Sequence, residues 1–161
     1  MTSDSMTIKY VMDTNTLIGF STWNPINLNK NFWDKLGVAL EEGKWVLLDV
    51  VVKEVLFGQQ LKDWCKKQKG KNLITDLTQG DRDKAIEINN KYPMIDQNTY
   101  KSTVDTYIIA HASNNNIAVF SRETYKTSNE TLYKIPDVCK ELKILHTKKP
   151  EDFLESIGFR N

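Results

Sequence analysis

Short apolar runs alternate with longer amphipathic segments along the chain, and this alternation predicts the secondary structure. Four apolar runs are expected to form buried strands, at residues 10–12, 45–48, 117–120 and 142–145. Helical spacing of apolar positions predicts helices over residues 32–42, 50–60, 81–92, 102–114, 135–139 and 150–157. Strands that alternate with helices in this way are typical of βαβ units, so we predict an α/β fold with a central parallel sheet.

Local capping signals add detail to these elements. The first strand is expected to end in a polar loop at residues 13–15. Asp49 is placed to cap the helix over residues 50–60. Ser102 and Asp105 have the spacing of a capping box at the start of the helix over residues 102–114.

Length and composition indicate one globular unit. The 161 residues contain no internal repeat and no linker, so we predict a single domain over residues 1–161. A hydrophobic share of 40% excludes a disordered chain. The 22 basic and 21 acidic residues leave a formal net charge of +1. Overall charge therefore does not indicate a nucleic-acid partner, and any such role must come from a local site.

The two cysteines bear on the compartment. Cys65 and Cys139 lie far apart and fit no CxxC pattern, which predicts reduced thiols and a cytoplasmic protein. The longest apolar run, residues 45–52, contains Asp49 and is too short to span a bilayer. We therefore expect no membrane association.

Carboxylates recur near the predicted strand ends. Asp13 closes the first strand, Glu54 follows the second, and Asp105 opens the helix before the third, which Glu123 follows. Ligands of open α/β sheets bind outside the carboxyl ends of the strands, where these four acids could converge. Clustered carboxylates repel one another unless a cation lies among them, and Mg²⁺ or Mn²⁺ prefers such oxygen ligands. The pattern indicates metal-assisted phosphodiester hydrolysis.

Each acid also has a structural explanation when taken alone. Asp13 could close a turn, Glu54 could be a solvated helix residue, and Glu123 could lie in a solvent loop. Asp105 could complete the capping box, although it lies on the face of Ile108 and Ile109, where a charge needs a partner or a metal.

Four segments together resemble the motifs of VapC-like PIN-domain nucleases. They are residues 10–18 (YVMDTNTLI), 51–55 (VVKEV), 104–112 (VDTYIIAHA) and 118–123 (AVFSRE). Residues 134–139 and 152–159 resemble one small-protein, toxin-like PIN subfamily. The fourth motif departs from the commoner pattern, because its nearest acid is Glu123 rather than an Asp soon after the strand.

The resemblance implies a three-layer α/β/α PIN-like fold and a Mg²⁺- or Mn²⁺-dependent ribonuclease, often a toxin with an antitoxin partner. It implies that Asp13, Glu54 and Asp105 are metal-binding acids and that Glu123 completes the site or binds a second metal. It implies that Asn15 orients Asp13 or a water by hydrogen bonding. The function expected is cleavage of RNA that leaves a 5′-phosphate and a 3′-hydroxyl.

Basic residues provide candidate RNA contacts. Lys66 and Lys67 lie beside Trp64, which could stack a base, and Arg122 flanks the fourth motif. The alternative for the lysines is a solvated helix face anchored in the core by Trp64. The lysines at residues 140, 143, 148 and 149 are interpreted as ordinary surface positions.

Two other functions stay open. The first is a catalytically silent PIN-like module that binds RNA or protein. The second, a phosphoaspartyl phosphatase, would need a second Asp where the chain has Asn15. We also expect a homodimer or an inhibitory partner, because aromatic residues are frequent at interfaces and four of them lie at positions 23, 32, 33 and 57. His111, mid-helix near core positions, is interpreted as structural.

Overall fold

A four-stranded parallel sheet forms the centre of the protein. The structure is a computed structural model and describes residues 7–159. The strands are β1 (Tyr10–Met12), β2 (Trp45–Val46), β3 (Ala118–Phe120) and β4 (His146–Thr147). Their order is β2-β1-β3-β4, and every neighbouring pair is parallel. The prediction of an α/β fold with a central parallel sheet is confirmed.

Eight helices connect the strands within the described residues. They are α1 (Thr14–Trp23), α2 (Lys30–Glu41), α3 (Asp49–Glu54), α4 (Gln59–Gly70), α5 (Gln79–Lys91), α6 (Thr103–Asn115), α7 (Ile135–Glu141) and α8 (Pro150–Ser156). All residues of β1 and β3 are buried, although neighbouring strand residues face opposite sides of a sheet. Both faces are therefore covered, as in a three-layer α/β/α arrangement.

Aromatic side chains fill the core around the sheet. The rings of Phe120 and Phe153 stack with centroids 5.0 Å apart, and Trp45 meets Phe153 edge-on at 5.6 Å. These contacts pack α8 against β2 and β3. The rigid core fixes the strand ends from which the functional side chains project.

The polar loop predicted after the first strand is wrong, because α1 begins there at once. The side chain of Asp13 accepts a hydrogen bond of 3.0 Å from the backbone N–H of Thr16 and so caps the helix. Leu17 and Phe20 lie on the buried face of α1. A single N-cap residue thus joins the strand to the helix without a loop.

The helix predicted over residues 50–60 is also wrong, because it divides into α3 and α4. The break contains Gly58, whose φ of 85° lies in the left-handed region that favours glycine. Asp49 is the first residue of α3 rather than its cap, and its Oδ1 accepts hydrogen bonds from the N–H groups of Val50 and Leu77. The second strand, predicted to reach residue 48, ends at Val46.

Two further predictions fail at chain turns. The helical segment of α7 ends before Lys143, whose φ is 58°. The fourth strand, predicted at residues 142–145, forms at His146–Thr147 instead. Ser102 has a φ of 74° and makes no side-chain cap, so the capping box with Asp105 is absent. A hydrogen bond from the side chain of Ser102 nevertheless reaches the carboxylate of Asp105 and lowers its pKa, against the larger effect of burial.

The remaining global predictions concern thiols and membranes. Cys65 and Cys139 are buried and unpaired, which confirms the expectation of free thiols. Burial raises the pKa of each thiol to about 12. No helix within residues 7–159 is both long enough and apolar enough to cross a bilayer.

Candidate metal centre

Three carboxylates meet at the carboxyl edge of the sheet. Asp13, Asp105 and Glu123 each offer one oxygen, and these oxygens all lie within 4.8 Å of one another. Asp13 directly follows β1, Asp105 lies in the first turn of α6, and Glu123 comes three residues after β3. The parallel topology brings the three together because β1 and β3 are neighbours in the sheet.

Asp13 is the most firmly held of the three. It is 1% exposed, its backbone N–H donates to the carbonyl of Phe120 at 3.2 Å, and its Oδ1 caps α1. Burial raises the pKa of Asp13 to about 6, against the lowering effect of the Thr16 hydrogen bonds. Glu123 and Glu54 raise it further by repulsion.

The pKa of Asp105 is raised further than that of Asp13. Burial raises its pKa to about 8, and repulsion from Glu123, Asp13 and Glu54 adds to the increase. An aspartate that holds its proton at neutral pH is unusual in a folded protein. Buried carboxylates with like charges around them form an arrangement that a bound cation would stabilise.

Glu123 is fixed by its own loop. Its Oε1 accepts a hydrogen bond of 3.1 Å from the backbone N–H of Ile135, and its own N–H donates to Oγ of Ser121. Ser121 Oγ in turn lies 2.8 Å from Nε2 of His146 in β4. The explanation of Glu123 as a free solvent-loop residue is therefore wrong.

Glu54 lies beside the cluster and not within it. It occupies the last turn of α3 and is exposed, and its Oε1 accepts a hydrogen bond of 2.5 Å from the hydroxyl of Thr14. It still raises the pKa values of Asp13 and Asp105 by repulsion. The structure thus joins Glu123 to the two aspartates and leaves Glu54 at the edge of the group.

A cleft of about 520 Å³ opens over the acids. Its lining includes two of them, Asp105 and Glu123, together with the sequence-predicted Asn15 and Arg122. The backbone N–H of Arg122 donates to Oγ1 of Thr16 in α1. Two further cationic side chains that the sequence interpretation did not single out also line the cleft, namely Lys101 and Lys134.

The predicted contacts on α4 lie elsewhere. Trp64 is buried, and its Nε1 donates to the carbonyl of Trp33, so its proposed base stacking is wrong and its role as a core anchor is confirmed. Lys67 lines a groove between α2 and α4 that none of the four acids lines. Lys66 is exposed on the same helix.

Three hydroxyl residues that support the acids were missed from the sequence. Thr14 holds Glu54, Thr16 binds both Asp13 and the backbone of Arg122, and Ser121 binds the backbone of Glu123. The one available signal was the spacing of Asp13 and Thr16, which fits an N-cap with its third helical residue. The contacts of Thr14 with Glu54 and of Thr16 with Arg122 are long-range and have no sequence signature, whereas Ser121 and Glu123 are only two residues apart.

The donor set suits a hard divalent cation. Three carboxylate oxygens within 4.8 Å of one another provide the hard ligands that Mg²⁺ and Mn²⁺ prefer, without the nitrogen and sulfur ligands typical of zinc. The open cleft leaves room for waters and for one substrate oxygen. The raised pKa values of the two aspartates show that the cluster would gain stability from such an ion.

Fold and site together define an α/β protein with a three-carboxylate cluster at the carboxyl edge of an all-parallel sheet. The chain belongs to the DUF4411 family, described as a domain of unknown function, whose model matches residues 10–160. No curated protein and no solved structure matches the chain.

Proposed function

We propose that this protein is a Mg²⁺- or Mn²⁺-dependent endoribonuclease that hydrolyses RNA phosphodiester bonds. The observation that carries the proposal is the convergence of Asp13, Asp105 and Glu123, with oxygens within 4.8 Å, beneath an open cleft. The resemblance of the four acid-bearing segments to PIN-domain nucleases supports the same activity.

Asp13, Asp105 and Glu123 are the residues that would hold the ion. When bound, a divalent cation neutralises a phosphodiester and promotes deprotonation of water. Asp13 and Glu123 enter the site with their orientations set, because backbone N–H groups bind both side chains. Rigid acids of this kind fix the position of the scissile phosphate relative to the cleft.

Glu54 is suited to orient the attacking water. Thr14 holds its Oε1 by a hydrogen bond of 2.5 Å, and Glu54 remains exposed beside the cluster. A carboxylate in this position can accept a proton from water as the oxygen attacks phosphorus. The bond to the 3′-oxygen then breaks, which leaves a 5′-phosphate and a 3′-hydroxyl.

Cationic and polar residues of the cleft would bind the substrate. Arg122 lies beside Glu123 and can form two parallel hydrogen bonds to a phosphate, while Asn15 can donate its amide to a phosphate or a water. Lys101 and Lys134 also line the cleft, where Lys134 forms an ion pair with Glu130 at 3.5 Å and Lys101 lies near Asp96. Lys66 and Lys67 stay predictions as outer RNA contacts on α4.

Protein partners form the second part of the proposal. The toxin-like resemblance suggests an antitoxin, or a second copy of the chain, and a cytoplasmic setting. Large apolar side chains are exposed that could meet such a partner: Trp23 is 75% exposed and Phe57 is 86% exposed. Of the other two aromatics predicted for an interface, Trp33 is buried and Phe32 is half-buried in the core.

The same exposed aromatics favour one alternative, a catalytically silent module that binds a protein or RNA. That alternative gives no reason for an aspartate whose pKa burial raises to about 8, with added repulsion from three nearby carboxylates. A scaffold that binds no cation gains nothing from carboxylates held this close together.

The test is titration of the purified protein with Mn²⁺ by calorimetry, followed by cleavage of an end-labelled RNA. We expect one or two bound ions at millimolar metal or below and metal-dependent cleavage to 5′-phosphate products. Absence of Mn²⁺ binding at millimolar concentration would remove the nuclease proposal. Metal binding without cleavage of any RNA would favour the silent module.

A further inference from the structure

A second cavity shares a wall with the acidic cleft. This Tyr125 cavity has a volume of about 260 Å³, and its lining includes Glu123, Thr124, Tyr125, His146, Lys148 and Lys149. Glu123 and Thr124 also line the acidic cleft, so the two cavities lie on either side of one short segment. A chain bound at the acids could continue directly into the Tyr125 cavity.

The aromatic ring of the cavity is available to a ligand. Tyr125 is 57% exposed, in contrast to the core-bound Trp64. Lys140 of α7 lies over one face of the Tyr125 ring, with its Nζ atom 5.9 Å from the ring centroid, so a base would stack on the opposite face. An exposed tyrosine of this kind is a platform for one unpaired base.

The cavity also carries unpaired positive charge. Lys148 and Lys149 are exposed, and neither forms an ion pair among residues 7–159. The backbone N–H of Lys149 donates to Oγ1 of Thr147, and that hydroxyl donates to Asp152. Two adjacent exposed lysines without an ion-pair partner are suited to bind phosphates.

His146 gives the cavity a fixed and uncharged wall. Its Nε2 lies 2.8 Å from Oγ of the buried Ser121. Burial, together with the charge of Lys148, lowers the pKa of His146, so the ring is neutral at physiological pH. The positive charge of the cavity therefore resides in its lysines, and Glu123 is the one acidic residue of its lining.

We propose that the Tyr125 cavity is a nucleotide subsite, in which Tyr125 stacks an unpaired base while Lys148 and Lys149 bind the adjoining phosphates. The inference rests on the proposed nuclease function and deepens it, because stacking on Tyr125 requires a base that is not paired. The substrate is accordingly single-stranded RNA at the nucleotide next to the scissile phosphate.

The test measures RNA binding without cleavage. Full-length protein in EDTA is titrated against a fluorescein-labelled unstructured RNA of about 12 nucleotides, within the usual span of single-strand sites. We expect Tyr125→Ala to weaken binding about tenfold, since one stacked base contributes roughly that factor or more. Tyr125→Phe keeps the ring and should bind nearly as well as the natural protein.

The lysines are tested by salt dependence. Each phosphate contact on a single strand contributes about 0.7 to the slope of log Kd against log salt. Lys148→Gln with Lys149→Gln should therefore lower the slope by about 1.4. The matched control is Lys9→Gln with Lys44→Gln, because these exposed lysines precede β1 and β2 at the opposite edge of the sheet. The control pair should leave the slope unchanged.

Several results would overturn the subsite. They are no measurable binding of single-stranded RNA, unchanged binding by Tyr125→Ala, failure of Tyr125→Phe to restore binding, or an equal loss of slope in the control pair. An equal effect of Tyr125→Ala on a perfectly paired RNA duplex would also overturn it. Single-stranded DNA of the same sequence, tested in parallel, should bind more weakly if the subsite selects RNA, and equal binding contradicts that selection.

Cleavage assays in Mn²⁺ separate this proposal from the nuclease proposal. Tyr125-dependent RNA binding without any cleavage would retain the subsite and remove the hydrolytic function. Cleavage with a KM that Tyr125→Ala leaves unchanged would retain the function and remove the subsite.

Discussion

The hydroxyl of Thr14 donates a 2.5 Å hydrogen bond to Oε1 of Glu54, 40 residues further along the chain. Thr14 is the first residue of α1, immediately after Asp13 of the three-carboxylate cluster, and Glu54 is the last residue of α3. This contact ties the end of α3 to the start of α1. Glu54 therefore lies at the edge of the acidic cluster. It raises the pKa of Asp105 by repulsion, although its carboxylate is not one of the three whose oxygens lie close together.

The position of Glu54 predicts a graded effect on metal binding. Glu123→Gln should abolish Mn²⁺ binding at micromolar metal, since it removes one of the three close carboxylates. Glu54→Gln should weaken affinity by about 10–100-fold, as expected for a residue next to the ligands, yet reduce cleavage at saturating metal more strongly. Calorimetry and single-turnover cleavage measure the two effects. Equal loss of Mn²⁺ affinity in both variants would place Glu54 among the ligands.

Asp105 separates catalytic from structural roles of the cluster. Asp105→Asn removes the charge that Asp105 carries above its raised pKa of about 8, so above that pH the metal-free protein should melt at the same or a higher temperature. The increase in melting temperature on addition of Mn²⁺ and the cleavage of RNA should both be lost. Asp63→Asn on the exposed face of α4 is the matched control and should change neither. A lower melting temperature together with normal cleavage would show that Asp105 is structural.

The raised pKa values predict an unusual pH dependence of stability. Unfolded aspartates have a pKa of about 3.9, whereas burial holds that of Asp105 at about 8 and that of Asp13 at about 6. Between these values the folded state binds more protons than the unfolded state. The stability that these groups contribute is therefore complete below about pH 4 and is lost as the pH rises through about 8.

Thermal melting in EDTA between about pH 7 and 9 measures this loss. His146 has a lowered pKa and affects stability in the opposite direction, but only below its unfolded pKa of about 6.5. Asp105 therefore dominates between about pH 7 and 8, where Asp105→Asn should flatten the curve; above about pH 8 the two buried cysteines, whose pKa values are raised to about 12, lower stability in the same direction in both proteins. Mn²⁺ affinity should rise over the same window, because the ion binds the deprotonated carboxylates. An unchanged curve in the variant would contradict the assignment.

Arg122 and the α4 lysines should differ in their effect on substrate binding. Arg122 lines the acidic cleft, whereas Lys67 lines a groove that none of the four candidate site acids lines, and Lys66 is exposed on the same helix. We expect Arg122→Gln to raise KM about tenfold, since hydrogen bonds to charged groups contribute about 1.5–3 kcal/mol. Lys66→Gln with Lys67→Gln should raise KM less. The opposite ranking in steady-state cleavage would move the RNA path towards α4.

The buried contact between α5 and α6 predicts a purely structural effect. Asp81 Oδ2 lies 2.9 Å from Nδ1 of His111, and Asp81 also caps α5 with Thr78. Burial alone would raise the pKa of Asp81, but hydrogen bonds from His111 and Asn114 outweigh it and hold the pKa below its usual value.

Asp81→Ala should lower the free energy of unfolding by about 1–3 kcal/mol, as expected when buried hydrogen-bond donors lose their acceptor. Denaturant unfolding measures the change. Mn²⁺ affinity of the folded variant should be unaffected, because Asp81 is outside the cluster. A loss of affinity without a loss of stability would instead make Asp81 part of the site.

The central elements could be predicted because their signals are local. The strands at Tyr10–Met12 and Ala118–Phe120 are short runs of apolar residues, and α5 and α6 carry apolar positions at helical spacing. His111 was also correctly interpreted as structural, since a lone histidine near core positions usually has a partner. The prediction failed where a structural feature depends on a single residue or a single hydrogen bond. The cap at Asp13, the break at Gly58 and the turn at Lys143 are examples.

The sequence by itself determined the order of strands and helices and the positions of acids after the strands, because hydrophobic periodicity is a property of each local segment. Only the tertiary structure decided which acids meet. Glu54 and Glu123 each follow a predicted strand in the sequence. In the structure β3 lies beside β1, which brings Glu123 close to Asp13, whereas Glu54 at the end of α3 contacts Thr14 instead. Strand adjacency and burial are properties of the packed sheet, so the pKa of Asp105 has no sequence signal.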